Sequence, residues 1–156
     1  MTEDLQELFD RPIRELEPPA PVCLEVGSRL GEALSLMQRH SIGCLLVRRE
    51  GRLAGIVTER DFFMKVIGRG VDLESAIDAF MTRDPESLHP DDSIAFALNR
   101  MSLGGYRHVP LVDEDGHPVG IISVRDIVDY VVEHHAALVY NLPPEPRVHS
   151  NAREGA

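Results

Sequence analysis

Two stretches of the chain, residues 28–40 and 92–104, carry the same pattern of apolar positions. The apolar residues of the first stretch are Leu30, Ala33, Leu34 and Met37, and those of the second are Ile94, Ala97, Leu98 and Met101. This spacing places the apolar residues on one face of an amphipathic helix. We therefore predict a helix in each stretch, with Ser28 and either Asp92 or Ser93 as the N-caps.

Two short apolar runs flank a polar, glycine-containing turn after each predicted helix. The runs are GCLLV (43–47) and LAGIV (53–57) after the first helix, and HVPLV (108–112) and PVGII (118–122) after the second. Apolar runs around a tight turn are typical of a β-hairpin. Pro110 lies inside HVPLV and has no N–H for a ladder hydrogen bond, which predicts an edge or irregular strand there.

The second strand of each hairpin leads into a repeated motif, GIVTERD (55–61) and GIISVRD (120–126). A hydroxyl residue three positions before an acidic residue, followed by apolar residues, is a capping-box pattern. It predicts two further helices, which start at Asp61 and Asp126. Helix capping alone explains both copies of the motif, although a helix N-terminus also attracts anions.

The chain is therefore an internal repeat, and we expect an α/β (α+β) fold of duplicated β-α-β-β-α units. Extended lead-ins are predicted at 21–26 and 86–90, and a helical segment followed by a linker at 71–85. One repeat is marginal alone, whereas two repeats packed together can share a core. The predicted parts are an N-terminal helical arm (1–19), two repeats (20–82 and 83–137) and a disordered C-terminal tail (138–156).

The charge balance of the chain excludes some classes of partner. With 26 acidic and 16 basic residues, the formal net charge is −10, and there is no basic stripe to neutralise phosphates. We therefore expect neither nucleic-acid nor membrane binding. The acidic N-terminus without an apolar core, and two cysteines without a CxxC motif, favour a reducing, cytoplasmic location.

The paired repeats, each with a Gly-apolar-apolar-(Ser/Thr)-x-x-Asp segment, resemble a tandem of cystathionine-β-synthase (CBS) domains, also called a Bateman module. The resemblance covers roughly residues 20–135. It implies a disc-like pair of repeats related by a pseudo-two-fold axis, with two clefts between them. It also implies that adenosine-containing ligands occupy these clefts: AMP, ADP, ATP, or in some members NAD or S-adenosylmethionine.

The resemblance further implies a set of ligand contacts. By this comparison Asp61 and Asp126 bind ribose hydroxyls, and Thr58 and Ser123 lie near ribose or phosphate. The basic candidates for phosphate are Arg60, Arg125, Arg107 and His108. As alternatives, the two Asp residues only cap helices, and the arginines pair with surface acids.

The positions before the first strand of each hairpin differ between the repeats. The second repeat has Arg107 and His108 where the first has Gly43 and Cys44. If these positions face the clefts, only one cleft gains this Arg and His, and the clefts then differ in affinity or in preferred phosphate number. The alternative is a solvent-exposed pair at the start of a strand.

The function predicted is that of a regulatory module that binds an adenine nucleotide, signals to an unknown protein target and forms a homodimer. No catalytic motif, catalytic cofactor or metal site is predicted: adjacent His134 and His135 lack the i, i+4 spacing of a helical metal site. The alternative is a structural module that only dimerises through the helices that follow Asp61 and Asp126. Their apolar residues, which core packing also explains, are Phe62, Phe63, Val66 and Ile67, and Ile127, Val128, Val131 and Val132.

Overall fold

A computed structural model describes residues 5–136, so the predicted tail (138–156) lies outside the described residues. The helices are α1 (Leu5–Asp10), α2 (Leu30–His40), α3 (Glu59–Lys65), α4 (Ile94–Gly104) and α5 (Val124–His134). The strands are β1 (Cys23–Glu25), β2 (Cys44–Arg49), β3 (Arg52–Thr58), β4 (Thr82–Arg83), β5 (His108–Val112) and β6 (Pro118–Ser123). Two 3-10 turns span Ile13–Leu16 and Ile77–Ala79. The mixed α/β fold is confirmed.

The strands form two sheets. The first has the order β1-β2-β3-β4, with β1 parallel to β2 and the other pairs antiparallel, and the second is the β5–β6 hairpin. Both predicted hairpins are confirmed. The predicted linker at 83–85 was wrong in part, because Arg83 belongs to β4 and pairs with Gly55 of β3.

The second repeat has a less regular edge than the first. Its lead-in at 86–90 contributes one bridge, between Leu88 and Leu111, instead of a strand like β1. The register shift between Leu111 and Val112 in β5–β6 is not part of this difference, because β2–β3 has the same shift between Val47 and Arg48. Strand β5 belongs to a two-stranded sheet, which agrees with the edge strand predicted from Pro110. The Pro110 carbonyl accepts a 3.0 Å hydrogen bond from the N–H of Leu88.

The helix starts differ from the sequence prediction in two ways. Helices α3 and α5 begin at Glu59 and Val124, because Asp61 and Asp126 occupy the third helical position of their capping boxes. The prediction of Ser28 as a cap was wrong: Arg29 is the N-cap of α2 and makes no side-chain capping bond. Ser93 caps α4 as predicted, and its hydroxyl accepts a 3.2 Å bond from the N–H of Phe96.

Each repeat has its own apolar core. Each core includes a segment from outside its helices and hairpin. Ile77, between α3 and β4, is fully buried in the first core, and Leu8 and Ile13 of the N-terminal arm are fully buried in the second. A third buried cluster of Cys44, Leu46 and Ile56 contacts Ile121 and so joins the two repeats.

The N-terminal arm packs on the second repeat in the same way that the inter-repeat segment, which lies between α3 and β4, packs on the first. The N–H of Ile13 donates to the carbonyl of Asp92 at 2.8 Å, and the N–H of Ile77 donates to that of Ser28 at 2.8 Å. The domain bounds given above stay predictions. Within residues 5–136, no helix combines the length and apolar character needed to cross a membrane.

Candidate functional site

A cavity of about 590 Å³ lies between the two repeats. The first repeat contributes Thr58, Arg60 and Asp61 from the end of β3 and the start of α3. The second contributes Arg107 and His108 from the start of β5. The segment from Thr82 to Glu86, which connects the repeats, also lines the cavity. Five of the eight predicted site residues are therefore brought together in one cleft.

The motif Thr58–Asp61 forms a complete capping box at this cleft. Asp61 Oδ2 accepts a 2.9 Å bond from the N–H of Thr58 and a 3.1 Å bond from its hydroxyl. The N–H of Asp61 donates back to Thr58 Oγ1 at 3.4 Å. The capping interpretation is confirmed, and it leaves Asp61 at the cavity wall with 9% of its surface exposed.

Lys65, which sequence reasoning missed, also lines this cavity. Its Nζ lies 2.7 Å from Asp61 Oδ1 and donates to the carbonyl oxygen of Phe80 at 2.7 Å. The i, i+4 spacing from Asp61 is the one sequence signal that could have found it, because such residues are neighbours on a helix.

The two arginines of the cleft are exposed at its rim. Within residues 5–136, neither Arg60 nor Arg107 forms an ion pair, so the alternative of pairing with a surface acid gains no support for Arg60, whereas Arg125 does lie beside Asp129. A guanidinium can bind a phosphate with two parallel hydrogen bonds, which makes either residue suitable for an anionic ligand.

His108 is half-buried at the inner end of the cleft. Burial, and then the charge of Arg107, lower the pKa of His108 from its ordinary value, while Asp126 and Glu59 oppose this shift. The imidazole is therefore uncharged at neutral pH and can offer a hydrogen bond, but no charge, to a ligand.

Tyr106 is a second residue that sequence reasoning missed. Its hydroxyl donates to Glu86 Oε2, and Arg100 Nε donates to Glu86 Oε1. These two bonds lower the pKa of Glu86 and fix the tyrosine at the cavity wall. Its ring lies where a side chain on Gly104 would be, so the glycine provides the space for the ring.

The second motif forms the same capping box in a different environment. Asp126 Oδ2 accepts bonds of 2.6 Å and 2.8 Å from the N–H and hydroxyl of Ser123. Arg125 lies 3.6 Å from Asp129. Neither Ser123, Arg125 nor Asp126 lines the 590 Å³ cavity. Asp126 instead borders a groove of about 550 Å³ beside the N-terminal arm.

The profile of the CBS domain family matches this chain twice, over residues 13–68 and 76–133. These two matches cover most of the sequence, and the chain belongs to the CBS domain family.

Two curated relatives show how far this similarity extends. An uncharacterized 17.7 kDa protein from Acidianus ambivalens is 33% identical over 107 residues, which are 68% of this chain and 64% of that protein. The mitochondrial CBS domain-containing protein CBSX3 of Arabidopsis thaliana is 32% identical over 110 residues, which are 67% of this chain and 53% of that protein. The chain thus spans less than two thirds of the length of each relative.

Solved structures of CBS-domain proteins have the same fold. The CBS-domain containing protein ATU1752 from Agrobacterium tumefaciens has a TM-score of 0.68 and 29% identity, over 76% of this chain and 97% of that one. The CBS domain pair of protein MJ0100, in complex with 5′-methylthioadenosine and S-adenosyl-L-methionine, has a TM-score of 0.69 and 25% identity. That match covers 76% of this chain and 93% of that one. The predicted pair of CBS repeats is confirmed.

Proposed function

We propose that the protein is a regulatory module that binds an adenosine-containing nucleotide in the cleft lined by Asp61. The observation that carries this proposal is the 590 Å³ cavity, which has residues of both repeats in its wall. Its size lies within the range of small-molecule sites, roughly 300–1,000 Å³. The two adenosine compounds bound by the similar CBS pair of MJ0100 support the same ligand class.

The side chains of the cleft suit the parts of a nucleotide. The Asp61 carboxylate can accept a hydrogen bond from a ribose hydroxyl at Oδ1, since Thr58 fills both acceptor positions of Oδ2 and Lys65 fills one of Oδ1. Arg60 and Arg107 can bind the phosphate, and Tyr106 offers an aromatic face to the base. Ser123, Arg125 and Asp126 would belong to a second, separate site beside Asp126.

Regulation would follow from the position of the cleft between the repeats. A ligand that contacts α3 and the start of β5 stabilises the relative orientation of the repeats that suits both contacts. Such a ligand shifts the population of conformations by its difference in affinity for them. We infer that a partner protein senses this shift. We also infer that the role is not catalytic and requires no metal. The protein would act in the cytoplasm and without nucleic acid.

Thermal unfolding with added ligand tests the proposal. AMP, ADP, ATP, NAD, S-adenosylmethionine and 5′-methylthioadenosine are each titrated into the wild type, Asp61→Ala and Asp126→Ala. A ligand at about 100 times its Kd adds roughly 2.7 kcal/mol of stability. That corresponds to a shift of roughly 5–10 °C in a chain of this size.

We expect at least one ligand to stabilise the wild type and Asp126→Ala but not Asp61→Ala. If no ligand shifts the wild-type transition at millimolar concentration, the proposal is wrong. A shift lost only in Asp126→Ala would move the site to the second motif.

A homodimer is a second candidate role, favoured by exposed apolar side chains on α3 and the turn after it. Phe63 is 69% exposed and Ile67 is 65% exposed, while Phe62 is buried in the core. Val128 of α5 is 51% exposed. Sedimentation equilibrium of the wild type and of Phe63→Glu tests this role: a dimer that becomes a monomer in the variant supports it, and a monomeric wild type contradicts it.

A further inference from the structure

Lys65 is the single lysine among the 156 residues, and it lies in the wall of the proposed nucleotide cleft. The other basic side chains of the chain, apart from histidines, are arginines. Lys65 is therefore the only side-chain amine, so amine chemistry that is located away from the terminal amine reports on the cleft.

The ammonium group of Lys65 is held in a fixed place. It makes a 2.7 Å ion pair with Asp61 Oδ1 and a 2.7 Å hydrogen bond to the carbonyl oxygen of Phe80. An ammonium has three donors, so one remains for a ligand. The lysine side chain is 42% exposed, whereas that of Asp61 is 11% exposed. A ligand that reaches Asp61 therefore also meets Lys65.

The charges around the cavity indicate how this ammonium group affects the binding of an anionic ligand. The acidic residues in the wall are Glu59, Asp61, Asp84 and Glu86. The cationic side chains are Arg60, Lys65 and Arg107. Without Lys65, two exposed arginines would face four carboxylates, of which Glu86 is already paired with Arg100, in a chain of net charge −10. An anionic ligand would then meet a repulsive field, because like charges in a partly desolvated cleft repel.

The second repeat has no cation at the matching position. Tyr130 stands there, and its hydroxyl donates to Glu15 at 3.4 Å. Around it the groove contains Asp129 and Glu133, and its cations, Arg11 and Arg14, come from the N-terminal arm. Arg11 donates to the Tyr130 hydroxyl at 3.3 Å and pairs with Glu15. Lys65 distinguishes the Asp61 cleft from this groove, because it lies on the same helix as Asp61 and pairs with it.

We propose that Lys65 is a specificity-determining residue, which makes the Asp61 cleft prefer phosphorylated adenosine over the uncharged nucleoside. This inference rests on the proposed function and names the charge of its ligand. The lysine neutralises Asp61, whose carboxylate then binds the ribose without repelling the phosphate. Its third proton is available to a ligand oxygen.

Isothermal titration calorimetry, which measures the Kd for AMP and for adenosine, tests this selectivity. The proteins are the wild type, Lys65→Met, which keeps the length of the side chain but removes its charge, and Lys65→Arg. Arg69→Met is the matched control, because Arg69 is exposed and lies outside the cavity wall. Thermal melting of each variant verifies that it is folded.

We expect Lys65→Met to bind AMP about 10–100-fold more weakly, the range for a lost hydrogen bond to a charged group. Its affinity for adenosine should stay within about threefold of wild type, while Lys65→Arg and Arg69→Met keep the preference for AMP. Equal losses for both ligands, or no loss for either, would overturn the inference. A wild type that binds neither AMP nor adenosine would also overturn the inference, whereas the proposed function fails only if none of the six ligands stabilises the wild type.

A labelling experiment on the unmodified chain needs no variant. Periodate-oxidised AMP carries aldehydes in place of its ribose hydroxyls, and an amine condenses with an aldehyde with loss of water. Borohydride then reduces the imine to a stable secondary amine. We expect the label on Lys65, located by peptide mass spectrometry and blocked by excess AMP. Label only on the terminal amine would overturn the position assigned to Lys65.

Discussion

The segments Thr58–Asp61 and Ser123–Asp126 have the same local structure but different surroundings. In both, the hydroxyl residue caps the helix and the Asp accepts from the N–H and hydroxyl of that residue. The first segment faces the 590 Å³ cavity, where Lys65 pairs with its Asp. Asp126 of the second segment borders a groove whose charged residues include Glu15, Glu17 and Glu133 as well as Arg11 and Arg14.

This difference shows that the repeated motif specifies a helix start, whereas residues outside the motif specify the site. The capping box uses the backbone N–H groups at a helix end, which need partners in either repeat. The lysine or tyrosine one turn later is free to differ, because it makes no capping bond. The residues at the matching strand starts, Cys44 and His108, also differ between the repeats. Burial raises the pKa of Cys44 to about 12 and lowers that of His108.

The largest expected effect is a loss of stability on changing the two segments that complete the cores, the N-terminal arm and the inter-repeat segment. Ile13→Ala and Ile77→Ala each remove a fully buried side chain at matching positions. Each should lower the free energy of unfolding by about 2–5 kcal/mol, the range for deletion of a buried Ile side chain. Urea denaturation measures the loss. If Ile13→Ala stayed within about 0.5 kcal/mol of wild type, the arm would be an appendage and not part of the second core.

A smaller effect is expected for the two caps. Thr58→Ala and Ser123→Ala each remove the side-chain acceptor of a capping box and should cost about 1 kcal/mol. The two stability losses should agree, because the two boxes have the same bonding pattern. Only Thr58→Ala should also weaken binding of the nucleotide that stabilises the wild type. Equal losses of affinity in both variants would mean that the two motifs have equivalent sites.

The smallest effect is the pH dependence contributed by His108. Its pKa is lowered in the folded state, so as pH falls the unfolded chain takes up the proton first. The free energy of unfolding should therefore decrease when the pH falls through the ordinary pKa of histidine, about 6.5. His108→Gln should show a smaller decrease between pH 7.5 and pH 5.5 in urea denaturation, with His117→Gln as an exposed control. A decrease equal to that of wild type would contradict the buried, neutral imidazole.

Regular patterns made most of the fold predictable. The apolar residues at Leu30 and Ile94 recur with helical spacing, and glycine-containing turns separate the strands. Such signals are local, so they survive in the folded chain. The prediction of Ser28 as the cap was wrong because the first helical residue depends on the segment packed against the helix. The N–H of Leu30 donates to the carbonyl of Ser75 at 2.9 Å.

The candidate site was predictable only in part. The motif identified Thr58 and Asp61, and the unequal strand starts identified Arg107 and His108. The motif gave no indication that Asp126 would border another groove. Tyr106 was missed because its place depends on Glu86, a partner on another segment. Lys65 was missed although its i, i+4 spacing from Asp61 is visible in the sequence.

The sequence by itself determined the duplication, the order of helices and strands, and the two capping boxes, because these depend on spacing along the chain and on hydrogen bonds between near neighbours. Only the tertiary structure decided which copy of the motif lines the inter-repeat cavity and which residues of the other repeat, Arg107 and His108, share its wall. Those features arise where segments distant in sequence meet. Their distances and charges are set by the packing of the repeats, the inter-repeat segment and the N-terminal arm against one another.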